Sequence, residues 1–313
     1  MQTKIAREEK SPQVLMLTQR IKQTLSIVGA GRVGRGLGRI LNDLGWKIRI
    51  VADRNITKAR AAVRAIGAGQ PADELNSQIL GSSVVLITTQ DGVIENVAAQ
   101  LAEIGGLEWQ GKVVLHTSGA LDSSVLKPLA DLGAATGSLH PMQTFGEQRP
   151  PDLEGRMFGI EGSPAALKVS RKIVRDMGGF AVPLSGADKA AYHSSAMFAC
   201  GHVLALMEAA VRLLCAQGFT RRQAVRALVP LTRKTLDNFE SLGPRAAWTG
   251  PLARGDYSTI QRHIKALGDF PQEYLEADVA LARLAAVVLS PEPEAAKQQL
   301  DKVFGPNPKT AKS

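Results

Sequence analysis

Residues 24–34, TLSIVGAGRVG, decide the fold. A short apolar run rich in β-branched residues enters Gly29-Ala30-Gly31-Arg32-Val33-Gly34, which is a G-x-G-x-x-G spacing at a strand-to-helix turn. Each glycine has its own task there. Gly29 permits the tight turn, Gly31 lets backbone approach a pyrophosphate, and Gly34 lets helix and strand pack closely, so that phosphates meet the free N–H groups of the helix N-terminus. Asp53 follows about 20 residues further on, at the end of the next apolar run, which is the place of a ribose-binding acid.

Outward from that turn, the first half of the chain alternates strand-like and helix-like patterns, the signature of βαβ units around a doubly wound parallel sheet. Strands are predicted over 24–28, 47–52, 84–88, 112–116, 134–139 and 180–184, with helices over 35–44, 57–66, 92–103, 123–132 and from Pro164 to about 177. Beyond Gly186 only helical periodicity remains, over 187–217, 220–242, 256–267 and 271–289. The reading is a flexible extension at 1–20, a Rossmann domain at 21–185, an all-α domain at 186–303 for substrate and dimerisation, and a basic tail at 304–313.

Composition narrows the function classes. The chain has 313 residues, 44% hydrophobic and 21% charged, which is enough to bury a large core and excludes extensive disorder. Its two cysteines, Cys200 and Cys215, make no disulfide framework and no metal-ligand cluster, so no metal is expected. A net charge of +9 raises nucleic acid, but aromatics are only 4% and the cations are scattered, which favours an anionic small molecule instead. Every apolar run is interrupted before the roughly 18 residues of a membrane span, so a soluble cytoplasmic protein is expected.

Several side chains are placed to carry chemistry. Arg54, beside Asp53, suits a 2′-phosphate and so NADP, with NAD the alternative that Asp53 favours; Arg32 can help neutralise the phosphates. Thr89, Asp91 and Ser118 follow the third and fourth predicted strands, at carboxyl ends where open α/β sheets bind ligands. His140 follows the fifth, in a loop stiffened by Pro141, where it can meet a carbonyl or carboxylate. Lys189 and His193 lie one turn apart on the first long helix, in a stripe with Ala196, Cys200 and Met207. Facing a nicotinamide, that pair can donate a proton to a carbonyl oxygen while hydride reaches its carbon. Arg254, in a stiff Gly- and Pro-rich turn, can fork onto a carboxylate or pair with Asp256, the N-cap of the next helix; Asn238 shares a helix face with Thr235.

Four motifs taken together carry a family resemblance: SLHPMQTF (138–145), DKAAYH (188–193), LVPLTRKTLDN (228–238) and GPRAAWTGPLARGD (243–256). In that order, across 22–289, the chain resembles proteins with a Rossmann-like domain and a C-terminal domain of unknown function 2520. That family is similar to the 6-phosphogluconate dehydrogenase-like and deazaflavin-dependent NADP reductase superfamily. The resemblance implies a nicotinamide cofactor held between the domains, a homodimer formed through the helical domain, and site roles for Lys189 and His193. Some relatives resemble an alternative ketopantoate reductase. The chain departs from the pattern at Cys200-Gly201, where the family often has Ser-Asn, and at Asp53, where a small polar residue is more usual.

The expected function is therefore NAD(P)-dependent hydride transfer to or from a small carboxylated carbonyl or alcohol compound. Gly29, Ala30, Gly31, Arg32, Val33, Gly34, Asp53, Arg54, Thr89, Asp91 and Ser118 would hold cofactor. Ser118, Asn238 and Arg254 would contact substrate, and Lys189, His193 and His140 would act at the reacting centre. Two other readings remain: a prephenate-dehydrogenase-like enzyme, suggested by His-Pro-Met after a late strand, and a dinucleotide-responsive binding protein that does no chemistry.

Overall fold

The computed structural model describes residues 23–305, so the expected extension at 1–20 and most of the expected tail lie outside the described residues. Two compact units divide at Gly201/His202. The division falls beyond the 185/186 boundary read from sequence. The helix that carries Lys189 is therefore part of the first unit, where its side chains bond to His140 and Ser138 of the sheet.

The first unit holds eight strands: β1 (Thr24–Val28), β2 (Lys47–Ala52), β3 (Gln70–Ala72), β4 (Val84–Ile87), β5 (Val113–His116), β6 (Ala135–Pro141), β7 (Met157–Gly162) and β8 (Phe180–Pro183). They form one sheet in the order β3-β2-β1-β4-β5-β6-β7-β8. The order reverses between β1 and β4, the switch point where this architecture opens a crevice at the carboxyl ends of its strands. Neighbours are parallel except β6 and β7, which pair antiparallel with His140 opposite Gly159. No helix intervenes between those two strands, and a parallel return needs a crossover.

Helices α1 (Arg32–Asp43), α2 (Ile56–Ile66), α3 (Asp91–Gly105), α4 (Lys127–Ala130), α5 (Pro164–Asp176) and α6 (Lys189–Met197) complete the first unit. Alternation along the strands sorts the core into two layers. Leu25, Ile27, Leu86 and Leu115 face one side with Leu37, Leu41 and Ile66, whereas Val28, Val85, Ile87 and Val114 face the other with Ile94, Leu101 and Trp109. Local signals fix the helix ends. Asn55 accepts from the Thr57 and Lys58 N–H groups at the start of α2, and Gly67 ends it in the left-handed region.

Three sequence expectations are corrected. Strands β3 and β7 escaped notice because one is three residues long with a central proline and the other is broken by two glycines. The helix expected over 123–132 is a 3₁₀ turn, Ser123–Leu126, followed by the single turn of α4, because Asp122 caps the tighter turn and Pro128 follows it. His140 is inside β6, not in a loop beyond it; the strand runs to Pro141 because β7 gives it a partner.

The second unit is helical, with α7 (Val203–Ala216), α8 (Arg221–Leu242), α9 (Pro244–Ala247), α10 (Tyr257–Leu267), α11 (Gln272–Val288) and α12 (Pro293–Phe304). A capping box, Thr220 with Gln223, starts α8, and Asp256 caps α10 as its sequence position suggested. Apolar side chains remain exposed along α8, at Leu231, Leu236, Phe239 and Leu242, and along α11, at Leu281, Leu284, Val287 and Val288. The membrane expectation also needs correction: the helical run Gly186–Ala216, 31 residues, is long and apolar enough to cross a membrane by length and composition. Polar residues near its start hide this, whereas 196–216 carries only Glu208 and Arg212 as charges.

Candidate functional site

The glycine turn has the geometry its spacing requires. Gly29 sits at φ +107°, and a Cβ there would lie 2.8 Å from the Thr88 carbonyl carbon, so only glycine fits. A Cβ on Gly34 would lie 2.2 Å from the Gly29 oxygen and 2.5 Å from Thr88 Oγ1. Thr88 Oγ1 itself donates to the Gly29 oxygen at 2.7 Å, which buttresses the turn from β4. Gly31 differs: a Cβ there would meet nothing within 4 Å, so its bare face opens onto free space at the start of α1.

That space is a cleft of about 770 Å³ lined by Gly29, Gly31, Asp53, Arg54, Lys58 and Thr89 among others. The size suits a bound nucleotide. Asp53 turns inward: Oδ2 accepts from the Ala30 N–H at 3.0 Å and Oδ1 from the Asn55 N–H at 3.0 Å. Its carboxylate thus braces the glycine turn, while Arg54 and Lys58, both exposed, supply positive charge to the same wall. Lys58 was not singled out from sequence; its place four residues after Arg54, in the first turn of α2, was the signal available. Arg32 points elsewhere, pairing with Glu147 at 2.5 Å. Thr89 Oγ1 is buried beside the cleft without a partner among the described residues, which leaves it a hydrogen bond to give.

A helix N-terminus beside a Cβ-free face, with a hydroxyl and two cations that have no partner among the described residues, suits a phosphate-bearing ligand. The wall of the cleft therefore suits a dinucleotide.

A second cluster begins one residue from the cleft. Gln90 lines the cleft, and next to it Asp91 Oδ2 accepts from Ser118 Oγ at 2.9 Å. Ser118 Oγ also accepts the Ala120 and Leu121 N–H groups, which fixes the turn after β5. Lys189, at the start of α6, is 0% exposed, and its Nζ donates to the Ser118 carbonyl at 3.0 Å and to Ser138 Oγ at 2.6 Å. A solvated first-turn lysine is excluded. Burial lowers its ammonium to about 8, against the opposing pull of Glu161, Asp122 and Asp91. Ser138 was missed in the sequence; it lies beside His116 in register, one strand over.

Three histidines surround this lysine. His116 is fully buried, accepts from the Ser118 N–H through Nδ1 and bonds the Asp122 carbonyl through Nε2, as expected of a structural residue. Burial, then the charge of Lys189, lowers it to about 4. His140 bonds Tyr192 Oη through Nδ1 at 2.9 Å and stacks edge-on with His193, ring centroids 5.5 Å apart. Burial, then His193 and Lys189, lowers His140 to about 4 as well. Both imidazoles press on Gly119, where a Cβ would lie 2.5 Å from His193 Nδ1 and 2.8 Å from His140 Nε2. The structure thus brings together Asp91, Ser118, His140, Lys189 and His193. It keeps Ala30, Val33 and Gly34 as scaffold of the turn, and Asn238 and Arg254 lie in the second unit, the latter exposed.

Residues 10–141 match a Rossmann-like domain, and residues 156–284 match a domain of unknown function, DUF2520. No curated protein sequence matches the chain. Among solved structures, BF3122 from Bacteroides fragilis is 22% identical over 82% of this chain and 96% of its own, with a TM-score of 0.67. Protein TM1727 from Thermotoga maritima is 26% identical over 84% and 98%, with a TM-score of 0.61. The imine reductase from Myxococcus stipitatus in complex with NADP+ is 17% identical over 84% and 94%, with a TM-score of 0.60. These likenesses establish a shared fold.

Proposed function

Because the chain belongs to the proteins that join a Rossmann-like domain to a domain of unknown function 2520, we propose that it is an NADP-linked oxidoreductase acting on a small carbonyl or alcohol compound. One observation carries this reading: a cleft built for a phosphate-bearing ligand ends at Gln90, and the next residue, Asp91, is bonded to Ser118, whose carbonyl accepts from a buried lysine of lowered pKa. The α1 N-terminus and Gly31 would hold the diphosphate, and Arg54 with Lys58 the 2′-phosphate. Asp53 is already engaged by two backbone N–H groups, which weakens the case for NAD. Bound there, the dinucleotide supplies or accepts a hydride.

The chain's own residues manage charge and protons. Lys189 keeps Ser118 and Ser138 in place, and its ammonium stabilises negative charge that develops on a substrate oxygen. An ordinary value near 10.4 would make it a reluctant acid; at about 8 it can yield a proton near neutral pH. His193 assists in moving that proton, and Ser118 and His140 position the substrate. Arg254, with no ion pair among the described residues, is the group proposed for a substrate carboxylate, and Asn238 for a polar contact. Ketopantoate is the first carbonyl to test. An imine is the second reading, prompted by the similar fold of the imine reductase.

The apolar faces of α8 and α11 suit a second copy of this chain, so we propose a homodimer through the helical unit. Light scattering in line with gel filtration reads it directly, and a monomer at micromolar concentration refutes it. Oxidation of NADPH and NADH against ketopantoate, other 2-keto acids and cyclic imines tests the activity. Turnover with NADPH is expected; tight NADPH binding without turnover on any substrate would leave a dinucleotide-responsive binding protein.

A further inference from the structure

Strands β5, β6 and β7 lay three polar side chains in one row: His116 is in register with Ser138, and Ser138 with Glu161. Residues directly opposite on an antiparallel pair project from the same face, with Cβ atoms about 5 Å apart. Glu161 therefore stands beside the hydroxyl that accepts from Lys189 Nζ at 2.6 Å. It is the only acidic residue on those three strands. Its carboxylate is held in place, since Oε2 accepts from the Ser123 N–H at 2.8 Å and Oε1 from Ser123 Oγ at 2.6 Å. A buried ammonium needs such a counter-charge, or it gives up its proton.

We infer that Glu161 is a positioning residue of the reaction: from β7 it supplies the fixed counter-charge that keeps the buried Lys189 an ammonium. The inference rests on the oxidoreductase reading for its catalytic half, whereas the charge on Lys189 can be read without it. Other groups face the same ammonium. Asp91 comes from the start of α3, bonded to Ser118 Oγ, and Asp122 from the turn after β5, where its Oδ1 accepts from the Ser124 N–H at 3.0 Å. His116 and His140 come from β5 and β6, and burial keeps both neutral at pH 7; Tyr192 and His193 follow Lys189 on α6. Of the three carboxylates, Glu161 pulls hardest toward the charged amine, ahead of Asp122 and Asp91, and with all three in place burial lowers Lys189 only to about 8. Without Glu161 the amine would lose its proton near neutral pH, and with it the charge that a developing oxyanion needs.

Carbon-13 at lysine Cε lets the full chain report the proton on Lys189, the resonance being assigned by its loss in Lys189→Met. Without cofactor or substrate, the wild type should titrate near 8, and Glu161→Gln, which keeps the shape and removes the charge, should titrate near about 7. Ser123→Ala keeps the charge and removes one bond to it, so its midpoint should stay within about 0.3 of wild type. An unmoved midpoint in Glu161→Gln would mean that Glu161 only braces the Ser123 turn, which overturns the inference. Should that variant not fold, Ser123→Ala decides: a wild-type midpoint supports the counter-charge, and a fall to about 7 overturns it, because the brace and not the charge would then set the ammonium. With NADPH and a carbonyl substrate, the alkaline limb of kcat/KM should follow the same midpoint. Glu161→Gln should then lose about twofold at pH 7 and about ninefold at pH 9, with the NADPH Kd unchanged. An unmoved limb would overturn the catalytic half. Absent NADPH binding by the wild type would sink the oxidoreductase reading and the catalytic half with it, while the lysine titration still decides the counter-charge.

Discussion

At the cleft, Arg54 and Lys58 stand exposed beside a Cβ-free glycine, with no protein anion paired to either among the described residues. At the neighbouring cluster, Lys189 is 0% exposed and its ammonium is bonded to Ser118 and Ser138. Both regions use lysine, yet to different ends. An exposed cation keeps its ordinary hydration and waits for a phosphate, whereas a buried one has its pKa lowered and its position fixed by the turn after β5 and by strand β6. Binding is thus assigned to a surface that can be varied cheaply, and chemistry to one that cannot.

The glycines of the turn give the strongest way to break that contrast. Gly34→Ala forces a methyl into the Gly29 oxygen and Thr88, so thermal melting should show a loss of about 3 kcal/mol or more and NADPH affinity should vanish with the turn. Gly31→Val should leave stability within about 0.5 kcal/mol, since its new side chain enters open space, yet raise the NADPH Kd at least about tenfold.

Acid should expose the cluster before it affects the cleft. His116 and His140 stay neutral in the folded chain down to about pH 4, whereas in the unfolded chain they take up protons near pH 6.5. The unfolded state then binds more protons, so stability falls as pH drops from about 6.5 to about 4, by about 1.4 kcal/mol per pH unit for each histidine. Urea unfolding at stepped pH checks this. A midpoint independent of pH across that window would contradict the burial argument.

At the cleft the effects are smaller and selective. Arg54→Ala or Lys58→Ala should each weaken NADPH by about tenfold, the worth of one charge-assisted contact, while NADH binding stays within about twofold. Equal losses for both cofactors would mean that neither residue reads the 2′-phosphate. Smallest is Glu147→Gln, which frees Arg32 from an exposed ion pair; the urea midpoint should barely move and NADPH affinity should shift only slightly.

Much of this was legible in the sequence, for physical reasons that differ by residue. The G-x-G-x-x-G turn was readable because its three glycines answer three separate steric demands at fixed spacing. Lys189 and His193 could be paired from helical spacing alone, but their surroundings could not. Ser138 enters through strand register and Tyr192 through the antiparallel partner of β6, and no local pattern announces either. The inward turn of Asp53 was equally hidden: its sequence position fits a ribose ligand, and only the fold shows both oxygens committed to backbone.

Turnover and NADPH affinity measured side by side on Lys189→Met test the central claim most directly. The account expects a rate loss of about a hundredfold or more, from about 2–4 kcal/mol of lost stabilisation at the developing oxyanion, with the NADPH Kd within about twofold of wild type. A variant that folds, binds NADPH and turns over substrate at the wild-type rate would contradict it.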